Sequence, residues 1–203
     1  MSRTVSLPVV CMLAVAACSG PGRPGEPEIK DGDLVKVRDV VKGDEVTVVK
    51  DGRDARVRLV GVHAFSPVLA DPQVHALSAG AVTALEDWVL GKELRVRLDH
   101  TPRDANGRWL GYLEDCDATC VREGKTGADI NMRLVETGWA VVYTEFPFDR
   151  EKAYLAAESA ARSAGRNVWA LKPAADLVRG LRRQWLTVRH GDGKTALADA
   201  LLQ

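Results

Sequence analysis

Between residues 34 and 62 the chain alternates apolar and polar side chains in three Val-rich runs, LVKVRDVVK, VTVVK and ARVRLVGV. A period of two puts every second side chain on one face, so each run predicts a strand with one buried face. The turn signals Lys42-Gly43-Asp44 and Asp51-Gly52 separate the runs and predict a meander. Beyond Asp71-Pro72 the period lengthens. Val74, Leu77, Ala81, Leu85 and Trp88 recur at helical spacing, and Gly91 follows the last turn.

Strands are expected again over 93–98 and 108–113, the second entered through Asn106-Gly107. Residues 129–137 predict a short helix stopped by Gly138, and 139–143 are apolar and β-prone. Residues 149–164 predict a helix with Asp149 as N-cap and Gly165 at its end. Five β segments with one helix between the third and fourth fit a small antiparallel barrel of the OB type. At 46% hydrophobic residues the chain has enough apolar material for a core, which excludes wholesale disorder. The 28 basic and 28 acidic residues cancel, so any attraction for nucleic acid must come from a local patch.

The first segment reads as an address. Residues 1–17 hold Arg3, a short apolar run and small residues before Cys18. This is a secretory signal pattern, and Val15-Ala16-Ala17-Cys18 resembles a bacterial lipobox. That resemblance implies cleavage before Cys18, lipidation of its sulfur and a place in the cell envelope, anchored to a membrane outside the cytoplasm; plain secretion is the alternative. Residues 18–32, rich in Gly and Pro, read as a tether, 33–170 as the folded domain and 171–203 as an extension. Cys116 and Cys120 lie in a polar stretch. A local disulfide clamping a hairpin, two free thiols and a metal site are all open, and an oxidising compartment favours the disulfide. The extension carries six basic against three acidic residues. It reads either as a solvated or packed helix, or as a phosphate or headgroup contact through Arg179, Arg182, Arg183 and Trp185.

The ordered pieces VVKGDEVTVV, RVRLVGVHAFSP, DANGRWLGYL, INMRLVETGWAVV and SAGRNVW resemble the staphylococcal nuclease (thermonuclease-like) family. The resemblance runs from about Leu34 to Trp169. It implies an α+β, β-rich fold, an OB-fold five-stranded antiparallel barrel with three packed helices. It also implies calcium-dependent hydrolysis of DNA and RNA in active relatives. That chemistry is largely electrostatic: a hard cation held by carboxylates and two guanidinium groups offset charge growing on the phosphoryl oxygens, while a carboxylate handles water.

Carried over residue by residue, the resemblance makes Asp44 the first metal carboxylate and Arg58 and Arg108 the two catalytic arginines. Asp104 matches a family acid, while Asn106 stands where a tyrosine is common. Lys42 replaces a carboxylate, and Glu45 replaces a hydroxyl residue. His63 stands for the second metal carboxylate and Ser66 for the carboxylate that handles water. A neutral imidazole is a poor ligand for calcium, and a serine hydroxyl is a poor base near neutral pH.

Each of these residues also has an ordinary reading. Asp44 fits a turn, where aspartate is common, Arg58 fits a solvated strand face, and Arg108 fits a bare turn. His63 is a transition-metal ligand, a base near neutral pH or an ordinary hydrogen-bonded histidine. Glu45 either compensates for a lost carboxylate or points away. Two function classes follow. One is an anchored nuclease with a remodelled site that uses His63 and a divalent metal weakened from the family's calcium. The other is a domain of the same fold that binds nucleic acid, another phosphate-bearing ligand or a protein partner, catalytically inert or with weak or altered hydrolysis at most.

Overall fold

The computed structural model describes residues 25–66 and 72–190. The signal segment, Cys18 and the last thirteen residues of the extension lie outside the described residues. The expected meander is formed by β1 (Leu34–Lys42), β2 (Glu45–Lys50) and β3 (Arg53–Leu59), all antiparallel. A two-residue strand β4 (Val62–His63) and helix α1 (Pro72–Val89) follow. Then come β5 (Glu93–Arg103) and β6 (Trp109–Asp115). The sheet runs β3-β2-β1-β5-β6 and closes on itself because β3 also pairs with β6. That closing pair is parallel, so the five-stranded barrel is mixed at its seam. Register shifts in β1 between Val37 and Asp39 and between Val40 and Lys42 are the irregularities that let a strand bend around a small barrel.

Short elements complete the chain. They are α2 (Ala118–Arg122), β7 (Ala128–Asp129), α3 (Ile130–Glu136), β8 (Val141–Val142), α4 (Glu151–Ser163), a 3-10 turn (Asn167–Ala170) and α5 (Lys172–His190). Asp129 caps α3 by accepting from the Met132 amide. Fully buried Asn131 then ties this helix to the barrel seam. Its side chain accepts from the Leu113 amide and donates to the carbonyls of Val60 and Gly111. Buried main-chain groups at the seam thereby find partners.

The interior is set by the period-two pattern. Val35, Val37, Val46, Val48, Val57, Leu59, Leu94 and Val96 point inward and are buried. On β3 the alternate residues Arg56 and Arg58 therefore lie on the outer wall. The turn into β2 sits hard against α1. A Cβ on Gly43 would fall 2.7 Å from the Ala81 Cβ and 2.8 Å from the Ala64 Cβ, so only glycine fits there.

Several expectations change. Residues 26–32 of the expected tether belong to the folded domain: Ile29 is 2% exposed, Glu26 pairs with Arg103, and Asp31 pairs with Arg97. One isoleucine among the glycines and prolines is enough to anchor the segment in the core. Cys116 and Cys120 are joined, with Cα atoms 5.2 Å apart, but the disulfide closes one turn of α2 instead of a hairpin. Asp149 does not cap α4; Arg150 occupies that position without a side-chain cap bond. Among the described residues the barrel carries five α-helices, two more than the three the resemblance implies.

Helix α5 is the packed form of the extension. It builds a second apolar cluster with Phe65, Val74, Leu77 and Val168 through its own Ala174, Val178 and Trp185. Arg182 is 3% exposed and clasps both carboxylate oxygens of Glu158, each at 2.8 Å. Glu158 Oε1 also accepts from the Val142 amide. The basic cluster of the extension is thus divided, with Arg182 and Trp185 inside and Arg183 outside. We expect Arg182→Ala to cost about 3–5 kcal/mol in urea-induced unfolding, because it strands a buried carboxylate. Arg183→Ala, on the exposed side, should stay within about 0.5 kcal/mol.

Candidate functional site

The turn before β2 and the outer face of β3 bring the expected residues together. Asp44 is 5% exposed, and its Oδ2 lies 2.8 Å from Arg58 Nη1 while accepting from the Ala64 amide at 2.8 Å. Arg58 Nη1 also donates to the Asp44 carbonyl at 2.9 Å. Glu45, directly across from Arg58 in the β2–β3 register, is 3% exposed. Its Oε1 accepts from Arg56 Nη1 at 2.6 Å and its Oε2 from Arg108 Nη1 at 2.7 Å. Asp104 takes Arg108 from the other side through Nε and Nη2, at 2.7 and 2.6 Å. Its second oxygen accepts the amides of Asn106 and Arg108, closing the turn that presents the guanidinium.

These charges hold one another in their ionised forms. Burial alone would push the Glu45 carboxyl up, but the hydrogen bonds from Arg56 and Arg108 outweigh it and leave the group below its ordinary 4.5. Burial works against the charge of Arg108 too, and Asp104 and Glu45 reverse that, so its pKa is raised. His63 moves the other way. Burial disfavours its imidazolium and dominates; the Asp44 carboxylate opposes it, Arg58 and Lys42 add to it, and the pKa lies below 6.5. His63 is therefore neutral near pH 7.

Arg58, Arg108 and His63 line one cleft of about 710 Å³. Its far wall is aromatic. Tyr143 sits 4.9 Å from Trp185 edge to face, and Phe146, 60% exposed, lies 6.1 Å from Tyr143. His63 packs against both Tyr143 and Trp185, at 6.1 and 5.2 Å. Arg103 also enters the cleft, stacked 3.7 Å over the Trp109 ring and paired with Glu26. Sequence reasoning missed Arg56, Arg103 and the aromatic wall. Arg56 was readable, since it lies two residues before Arg58 on the same strand face. Trp185 was singled out only beside the basic residues of the extension; its place in this cleft is not a local signal, because α5 brings it from far along the chain.

The family of staphylococcal nuclease homologues matches residues 56–171, more than half of the sequence. The chain belongs to the staphylococcal nuclease family. The thermonuclease of Staphylococcus intermedius is 26% identical over 151 residues, which cover 74% of this chain and 83% of that relative.

Calcium is the ion usual in this family, and the donors at its expected position do not suit it. Asp44 is engaged by Arg58 and an amide, both Glu45 oxygens by arginines, and His63 offers nitrogen. Among the described residues, no third acid, Cys or His groups with Asp44 and His63 closely enough to hold an ion. Ser66, in the place of the family's water-handling carboxylate, is exposed.

Acid should loosen this arrangement in two stages. His63 has a depressed folded pKa, so the unfolded chain takes its proton first, and stability falls as pH drops below 6.5 towards the folded value. Glu45 contributes above 4.5, and its contribution is lost as pH falls through its lower folded pKa. We expect Glu45→Gln to lose about 1–3 kcal/mol at neutral pH and to flatten the lower stage in urea titrations run from pH 7 to pH 3.

Proposed function

We propose that this member of the nuclease family binds nucleic acid through the arginine–aromatic cleft and hydrolyses it weakly or in an altered manner, from a lipid-anchored position in the cell envelope. The observation that carries the reading is the joint entry of Arg58 and Arg108 into one cleft with the exposed Phe146 and the half-buried Tyr143. A phosphodiester offers anionic oxygens to the guanidinium donors, and its bases offer faces to Tyr143 and Phe146. The envelope address rests on the lipobox-like residues before Cys18. No helix among the described residues is long and apolar enough to cross a membrane.

The same geometry limits catalysis. Arg56, Arg58, Arg103 and Arg108 face Glu45, Asp44, Glu26 and Asp104, so the cleft holds oriented donors with little surplus positive charge. A phosphate must compete with carboxylates already in place. Attack by water needs a base, and the neutral His63 imidazole, beside Arg58 on the cleft wall, is one group there able to accept a proton at pH 7. Its packing against Tyr143 and Trp185 restricts how it meets water.

Fluorescence anisotropy with a short single-stranded oligonucleotide tests the binding. Affinity should fall with salt, with a logarithmic slope of about −1.4 for two neutralised phosphates, and the pair Arg58→Ala and Arg108→Ala should abolish it. Salt-insensitive binding points instead to a protein partner. On a DNA zymogram, calcium should give little cleavage beyond the metal-free control. Rapid calcium-dependent digestion that Asp44→Ala removes would overturn the weak-hydrolysis reading.

A further inference from the structure

A second cluster of ligating groups stands on the rim of the same cleft. Asp99 and His100 lie where the pairing of β5 with β6 is interrupted between Leu98 and Arg103, and Asp149 precedes α4. His100 Nδ1 is 3.2 Å from Asp99 Oδ1 and 3.9 Å from Asp149 Oδ1. One donor atom from each of the three lies within 4.8 Å of the other two. Donors bound to one ion at about 2.1 Å stand roughly 3.0–3.4 Å apart at octahedral or tetrahedral angles, so small side-chain rotations bring this set into range.

The charges around the cluster favour a cation. The Asp99 side chain is 6% exposed, and the ion-pair partner of both Asp99 and Asp149 among the described residues is the titratable His100. The neighbouring guanidiniums are committed elsewhere: Arg97 to Asp31, Arg103 to Glu26, and Arg150 to Glu114 and Asp129. A buried carboxylate without a permanent counter-charge is costly. A second observation is independent of the cluster. Tyr112 on β6 is 2% exposed; the Arg150 amide faces its hydroxyl oxygen, and among the described residues the hydroxyl proton finds no acceptor. The fields of both Asp99 and Asp149 reach that hydroxyl. A buried hydroxyl whose proton has no acceptor calls for an explanation, and the charged cluster whose field it feels supplies one.

We propose that Asp99, His100 and Asp149 form a binding site for a first-row divalent transition-metal ion, with the Tyr112 hydroxyl beside it. Two carboxylates and one imidazole suit manganese or zinc better than calcium, which prefers an all-oxygen shell. The site is distinct from Asp44 and His63, and it stands whether or not the cleft binds nucleic acid. An ion there adds positive charge to a cleft whose arginines are already offset by carboxylates.

The test is isothermal titration calorimetry on the full chain after chelation and dialysis, with Mn2+ and with Zn2+ as titrants. At least one of the two should bind at one ion per chain. Asp149→Asn should weaken that binding at least about tenfold, as should His100→Gln. The Asp149 side chain is 75% exposed, so its replacement leaves the fold intact, and thermal unfolding verifies this. Absence of binding by either ion overturns the proposal. So does binding that both variants leave unchanged, whether or not Asp44→Asn removes it. Calorimetry reads the ion alone, so the metal site stands or falls independently of oligonucleotide binding.

Discussion

Two adjacent carboxylates, Asp44 and Glu45, are buried beside the barrel, and a buried carboxylate needs hydrogen-bonded, charged partners. This requirement organises the site. Asp44 recruits Arg58 from the next strand, and Glu45 recruits Arg56 and Arg108 from β3 and from the turn before β6. The parallel seam between β3 and β6 places those two sources side by side. The arrangement depends on the barrel closing, because in an open sheet the strands bearing Arg58 and Arg108 would be at opposite edges.

The same pairing distinguishes the chain from the active pattern that its family implies. An acid replacing a hydroxyl residue at position 45 supplies a fixed partner for Arg108, which gains orientation and gives up some of its attraction for an incoming anion. Histidine at position 63 withdraws a charge from the place where an ion would need one. Both changes bear on the proposed reading: they count against a calcium ion at this position and leave the guanidinium donors in place.

Much of the barrel was legible in the sequence because strand alternation is a local signal. Val46, Val48, Val57 and Leu59 announce their inward face directly, and Arg58 follows from them by parity. The match of Arg108 to a family turn was also readable, and the structure shows why the turn holds its shape: Asp104 accepts both of its amides. What escaped was non-local. Ile29 looked like part of a polar leader because its burial depends on a barrel that forms later in the chain. The partners of Glu45 come from strands that no local pattern assigns to it. Helix α5 reads as basic and solvated until Glu158 is found to bury one of its arginines. Asp149 looked like a helix cap because Asp before a helical run usually is one, yet it turns towards His100 instead.

The meeting of Gly43 with Ala81 and Ala64 has an evolutionary corollary. Each alanine has a single methyl to give up, so little room can be made for growth at the turn. Giving up the one at Ala81 would put a glycine inside a helix, at about 1 kcal/mol. Compensating pairs are therefore costly here, and the interlock freezes the spacing between the acidic turn and the helix behind it.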